Sequence, residues 1–421
     1  MNFKIKEIYL DNFKSFKDCR IKLDNFNVVV APNNGGKSNL ISALEFIAST
    51  FRYGLYRAID EFGGLETIKN YRSSEEENIT IGVKTYSSKF PFRTEKEDFI
   101  FRDIEYNIEF SFNKELKELN INAKGKFKIG KSSKKFRKFN FSIRKNKNEV
   151  VFGKDFYIPK KYRSLFNVLF INIDNLKDKN IEDLDELFLI SIYLFIFLKE
   201  IYTYFINSTA IKNFSNYKSG DRLNKEGTNL ASILDYLKGK HPEIFENIST
   251  SLIGIVDELE GIEIGYDTLG RSKLNFQERL SNKKTKFIPI DIVSDGTINL
   301  IATLTALYEP YSKTLIAIEE PERHLHLRAI SYLMEEFRNI SEEKQILITT
   351  QNSETLHNLD FKKDNLIFLF RDYEGNTKAI THRDIPRFKQ KLKIYKNDIV
   401  ELIKLEGLGY LGDYIGEEEE E

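Results

Sequence analysis

One stretch constrains this chain more than any other. Ala31-Pro32-Asn33-Asn34-Gly35-Gly36-Lys37-Ser38 fits the pattern G-x-x-x-x-G-K-[ST] except at its first position, where alanine replaces glycine. The β-branched run Val28-Val29-Val30 precedes it. A helical pattern follows, with Leu40, Ile41, Leu44, Ile47 and Ala48 on one face. A strand, a turn of Asn and Gly, and a helix start are the parts of a phosphate cradle. Backbone N–H groups converge on phosphate oxygens, and the helix points its positive end at them. In that reading Lys37 neutralises the outer phosphates of ATP, the Ser38 hydroxyl ligates Mg²⁺, and Ala31 to Gly36 with Asn39 complete the loop. Alanine at the strand end is tolerable if its φ stays negative. The plain alternative is an ordinary strand–turn–helix punctuated by Asn-Gly.

A second element has the matching chemistry. The apolar run Leu315-Ile316-Ala317-Ile318 ends in Glu319-Glu320-Pro321-Glu322. An acid at the end of a buried strand can hold Mg²⁺ through water, the role expected of Glu319. The next acid points the other way and can polarise the attacking water, the role expected of Glu320. Acids that merely cap a strand end in solvent give the same pattern, so the pair gains its meaning from the loop at 31–38. A third element, Ser294-Asp295-Gly296-Thr297, precedes the apolar helix Ile298 to Tyr308. Ser294 or Asp295 there is a good N-cap. The same exposed helix start, with Ser294 and Gly296, can dock on a γ-phosphate, including one bound by another chain.

Between these elements the period of the sequence changes. Ile104, Tyr106, Ile108, Phe110 and Phe112 alternate with polar residues, and the alternation predicts an antiparallel meander over roughly 79–153. Residues 170–260 read as helical, with Leu187 to Ile206, Leu230 to Leu237 and Ile248 to Leu259 as candidates. Past 285 the α/β rhythm returns, with buried-strand runs at Leu315 to Ile318 and Gln345 to Ile348. The expected divisions are 1–70 with the loop, 71–165 rich in β, 166–284 helical, 285–400 returning to α/β, and a tail over 401–421.

Composition narrows the partners. The 421 residues carry 64 Lys and Arg against 64 Asp and Glu, so net charge argues for neither nucleic acid nor membrane. Cys19 is the only cysteine, which excludes an intramolecular disulfide framework and a Cys-based zinc finger. The opening has no secretory core, and the greasy stretch Leu187 to Leu198 is too short to span a bilayer. The chain thus reads as soluble and cytoplasmic, without a membrane partner. Charge is nevertheless uneven: 121–163 holds 15 Lys and Arg against Glu149 and Asp155, with Phe127, Phe136, Phe139 and Phe141 interleaved. Clustered cations and aromatics are what nucleic acid binds, although a Lys face that is merely solvated is the simpler reading. His324, His326 and His357 are scattered without Cys companions and read as structural rather than metal-ligating.

These phrases together resemble a known group. Tyr9-Leu10-Asp11-Asn12-Phe13-Lys14-Ser15-Phe16 is similar to the first strand of RecF-like and SMC-like ATPases, as is Pro32 to Leu40 to their loop. Ser294 to Thr297 is similar to the signature motif of the stand-alone predicted ATPases. Glu319 to Glu322 followed by Leu325-His326 looks like that branch's Walker B, and Gly227-Thr228-Asn229-Leu230-Ala231 is a further shared phrase. The likeness covers roughly 1–70 and 220–380. It implies an α/β P-loop NTPase, an ABC-type head carrying the β meander and a helical insertion. Two head-to-tail copies would sandwich two ATPs, Ser294 and Gly296 of one completing the site built on Lys37 and Ser38 of the other. It also implies genome maintenance or phage defence, in company with an effector protein. Gln351 stands where the switch histidine of such heads is usual, and as a weak γ-phosphate sensor it implies slow turnover. Leu327 stands where proline is common. The overcoming-lysogenisation-defect class appends a nuclease with an acidic metal centre, and no such centre is found after Gln351. Two rivals remain open at this point: a non-hydrolysing, ATP-dependent dimerisation switch, and a nucleic-acid-binding module built on 121–163.

Overall fold

The computed structural model describes residues 3–404, apart from 153–193, 214–220 and short breaks at 75–76, 88–89, 94–97, 114–117, 133–134, 147–148, 269, 281–283 and 312. Its centre is a six-stranded sheet in the order Ile201–Tyr204, Leu315–Glu319, Gln345–Thr350, Phe26–Val30, Asn365–Arg371, Thr377–Thr381. All neighbours are parallel except the last pair. Phe26–Val30 and Gln345–Thr350 are buried along their whole length, as near-continuous β-branched and aliphatic runs require of strands covered on both faces. Alternation along each strand then feeds two cores. Val29, Ala317, Leu347 and Ile367 join one, with helix Lys37–Tyr53 and the antiparallel sheet; Val28, Val30, Ile316, Ile318, Ile346 and Ile348 join the other, with the helices of 230–341.

The meander expected over 79–153 forms, and the chain's first strand extends it. The eight-stranded sheet runs Cys19–Lys22, Phe3–Asp11, Ile79–Ser87, Asp98–Asn113, Glu118–Ser132, Lys135–Asn146, Glu149–Phe152, with Phe90–Arg93 paired to Asp98–Asn113. Ile104, Tyr106, Ile108 and Phe110 point inward, as their period of two demands. Phe3–Asp11 pairs antiparallel with Ile79–Ser87, so this sheet crosses the division drawn at 70. The side chains of most of the basic stretch 121–163, including its four phenylalanines, lie outside the described residues, as does the acidic tail.

Two segments read as helical are strands. Ile201–Tyr204, inside the apolar run ending at Ile206, is the edge strand beside Leu315–Glu319. A run apolar on every side carries no period to separate helix from buried strand, and the neighbouring sheet edge decides. Helix Pro242–Ile255 ends four residues before Leu259, which opens a three-stranded antiparallel sheet with Ser272–Arg279 and Thr285–Pro289. Helices Leu230–Lys240 and Asp295–Tyr308 stand where the sequence placed them. Among the described residues no helix is long and apolar enough to cross a membrane.

Candidate active site

Ligands of an open parallel sheet collect at the carboxyl ends of its strands. Here three central strands end together: Phe26–Val30 runs into the loop, Leu315–Glu319 into Glu320, and Gln345–Thr350 into Gln351. They surround a cavity of about 320 Å³ lined by Asn33 to Asn39, Glu319, Glu320, Arg323 and Gln351.

The loop owes its shape to small residues in tight places. A Cβ on Gly35 would fall 2.7 Å from the Cβ of Ala31, so the alanine takes up room that a larger residue at 35 would need. Gly36 has φ of +107°, and a Cβ there would meet the Thr377 hydroxyl at 2.7 Å. Both the left-handed backbone and the close approach require glycine. Gly35 N donates to Pro32 O at 2.9 Å, and the Arg371 guanidinium donates to Asn34 O at 2.7 and 3.1 Å, bracing the loop from the far side. Lys37 folds back, its Nζ donating to Ala31 O at 3.0 Å and to Pro32 O at 3.4 Å. Burial draws its ammonium below the usual value, against the pull of Glu320, Glu319 and Glu322.

The Ser38 hydroxyl donates to Glu319 Oε1 at 2.5 Å, across 281 residues of sequence. The pair of expected Mg²⁺ ligands therefore meets directly. Glu320 has φ of +45°, a left-handed conformation costing a non-glycine residue about 1–2 kcal/mol. Its side chain lines the cavity. Gln351 Nε2 donates to Glu320 Oε1 at 2.8 Å, and Arg323 Nε and Nη2 donate to Oε2 at 3.0 and 2.9 Å. Burial by itself would raise Glu320, but the hydrogen bonds from Gln351 and Arg323 and the Lys37 charge outweigh it and hold the carboxyl below its ordinary value.

The other expected residues fall as follows. Ala31 and Pro32 do not line the cavity; their carbonyls hold Lys37. Asn39 lines it, yet its amide donates to Ser15 Oγ at 2.8 Å. Ser294 and Gly296 lie apart, on a second cavity of about 590 Å³ with His324, Leu325 and His326. Ser294 Oγ caps its helix by accepting from Thr297 N at 3.1 Å. Arg323, Arg371 and Thr377 were not singled out from the sequence. Only a tertiary contact marks them, Arg323 excepted, which stands three residues beyond Glu320.

Glu322, the last acid of the run, is buried, accepts from the Thr350 hydroxyl through Oε1, and has no partner for Oε2. Burial pushes its carboxyl up from 4.5 to about 7. The folded chain then holds a proton that the unfolded chain has already released between these values, so stability falls as pH rises from 4.5 to 7 and stays reduced above. Glu322→Gln keeps an acceptor for Thr350 and removes the titration. It should melt higher than wild type at pH 8, by at most about 3 kcal/mol of stability, and alike at pH 4. Equal melting at pH 8 would show that the buried carboxylate costs nothing.

Comparisons with known proteins give the family and the fold. The family described as "AAA domain, putative AbiEii toxin, Type IV TA system" has a model that matches residues 26–356. The chain belongs to this family. The AAA-domain match contains every element of the cavity, from Phe26–Val30 to Gln351. A solved structure of an SmcHead bound to the C-winged helix domain of ScpA superposes with a TM-score of 0.50 at 13% identity, covering 90% of this chain and 98% of that one. The fold is thus that of an SMC-type P-loop ATPase head. A relative named ATP/GTP phosphatase, from Helicobacter pylori (strain ATCC 700392 / 26695), is 22% identical over 371 residues, 85% of this chain and 87% of that protein. A chromosome partition protein Smc from Methanococcus voltae is 32% identical over 93 residues, 22% of this chain; the match spans 8% of that protein's length.

Proposed function

We propose that this ATPase acts as a nucleotide-gated dimer in which each copy binds and hydrolyses Mg·ATP on its own Lys37 and Ser38 while the Ser294–Gly296 helix start of the second copy closes on the terminal phosphate. The observation that carries the nucleotide site is the meeting of Ser38 with Glu319 beside Lys37, Glu320 and Gln351. A hydroxyl and a carboxylate are hard oxygen donors, and among the described residues no group of three or more His, Cys, Asp or Glu is set to cage an ion. That donor set fits Mg²⁺, which keeps several waters and shares substrate phosphates. Bound to Ser38 and Glu319, the ion would neutralise phosphate charge as the terminal group transfers. Lys37 has two carbonyls to leave and the outer phosphate oxygens to gain, while the N–H groups of Asn34 and of Gly36 to Ser38 hold the chain of phosphates in place. Glu320 takes the proton of the attacking water.

Dimerisation is supported by the separation of Ser294 and Gly296 from the cavity that holds Lys37. A γ-phosphate then makes contacts in the paired state that a diphosphate lacks, and such a difference is what gates an equilibrium. The test is sizing of Glu320→Gln with Mg·ATP and with Mg·ADP: a dimer is expected with the first and a monomer with the second. A monomer in both sinks the gating. A non-hydrolysing switch is the second reading, favoured by the engagement of both Glu320 oxygens with Gln351 and Arg323. The family description names a toxin of a toxin–antitoxin system, and one relative is named for chromosome partition. Both support a role in defence or genome maintenance beside a partner protein.

A further inference from the structure

Among the residues lining the phosphate cavity, two are cations, Lys37 and Arg323, against the carboxylates of Glu319 and Glu320. The loop motif accounts for Lys37 alone. Arg323 spends two of its nitrogens, Nε and Nη2, on the single oxygen Oε2 of Glu320, at 3.0 and 2.9 Å. Two donors fill the lone pairs of that oxygen, and Gln351 occupies one on Oε1. A carboxylate held so has little room for a water that must give up a proton.

The restraint lies in the side chain. The Arg323 carbonyl is fixed by Asn299 Nδ2 at 3.0 Å, whereas the side chain is 41% exposed and its guanidinium lies 5.0 Å from the Phe205 ring. A planar fork has a better partner than one carboxylate oxygen: a terminal phosphate carries more charge and presents two oxygens at matching spacing.

We propose that Arg323 is a further catalytic residue, exchanging the Glu320 carboxylate for the terminal phosphate of bound ATP. The inference rests on the ATPase reading above. In the step it serves, the water oxygen bonds to the terminal phosphorus. The bond from that phosphorus to the oxygen bridging to ADP breaks, and its electron pair leaves with ADP. The water proton passes to Glu320, whose Oε2 the departed guanidinium has freed. Arg323 thus stabilises the transferring group and releases the base by one movement.

The full-length protein tests this with Arg323→Ala, Arg323→Lys and Glu320→Gln. Calorimetry would measure affinity for Mg·ADP and for non-hydrolysable Mg·AMPPNP, and steady-state phosphate release would give kcat and KM. Arg323→Ala should leave Mg·ADP affinity unchanged and weaken Mg·AMPPNP about tenfold, the worth of one charge-assisted contact. Its kcat should fall about a hundredfold, as when one preorganised donor is removed. Lysine should recover affinity more than kcat, because an ammonium lacks the fork. An exposed pair of this kind contributes little to stability, so the alanine variant should fold and melt within a few degrees of wild type. An unchanged ratio of Mg·AMPPNP to Mg·ADP affinity overturns the proposal, whatever the rates. Wild-type release no faster than that of Glu320→Gln removes the hydrolysis reading instead, and the affinity ratio still decides whether Arg323 meets the phosphate.

Discussion

Glu320→Gln should lower the rate of phosphate release by about a hundred- to ten-thousand-fold, the range for a positioned general base. Glutamine has the same shape and keeps an oxygen for the Gln351 amide, which donates at 2.8 Å. What it loses is the capacity to take a proton, together with the second oxygen that Arg323 Nε and Nη2 now use. The proposed nucleotide contacts stand elsewhere, on Lys37, Ser38 and Glu319, so KM should change little. The variant should therefore bind Mg·ATP and fail to turn it over, which a malachite-green assay beside a binding titration would read directly. Release within threefold of wild type would assign the proton to another group.

Lys37→Ala should remove nucleotide binding while leaving the fold in place. The residue is 7% exposed, and its ammonium donates to two loop carbonyls. Pro32 O keeps its bond from Gly35 N, and Arg371 continues to brace Asn34. Thus the loop has other supports. Two charged hydrogen bonds to phosphate, at about 1.5–3 kcal/mol each, correspond to a loss of at least about a hundredfold in affinity. In a thermal melt without nucleotide the variant should resemble wild type, and Mg·ATP should no longer raise its melting temperature. A preserved rise would mean that the cavity at 33–39 is not where the triphosphate lies.

How far the sequence disclosed this molecule depends on how local the cause was. The loop from Ala31 to Ser38 could be read because its strand, turn and helix are fixed by neighbours in sequence. The inward set Ile104, Tyr106, Ile108 and Phe110 was equally plain, since a period of two has one structural meaning. Ile201–Tyr204 was hidden because its state is set by Leu315–Glu319, more than a hundred residues away. Leu259–Tyr266 and Ser272–Arg279 were hidden for a different reason: most of their residues are only half-buried, so apolar alternation is faint. At the site, the acids at 319 and 320 were legible as a pair after a strand. The claim of Arg323 on Glu320 was not, because a side-chain pairing across the turn after a strand, at a residue with a left-handed backbone, has no signal in propensity or period.

The helix that opens at Ser294 and the turn that carries Arg323 touch without slack. A methyl group at 296 would stand 2.4 Å from the carbonyl of His324, and Asn299 grips the carbonyl of Arg323 at 3.0 Å. Neither piece can shift at that seam without dragging the other. Coupling of this kind works equally in both directions. In the proposed pair of heads, an event felt at one copy's helix tip would be transmitted to that copy's own proposed base, so the two fuel molecules would be spent in step rather than at random.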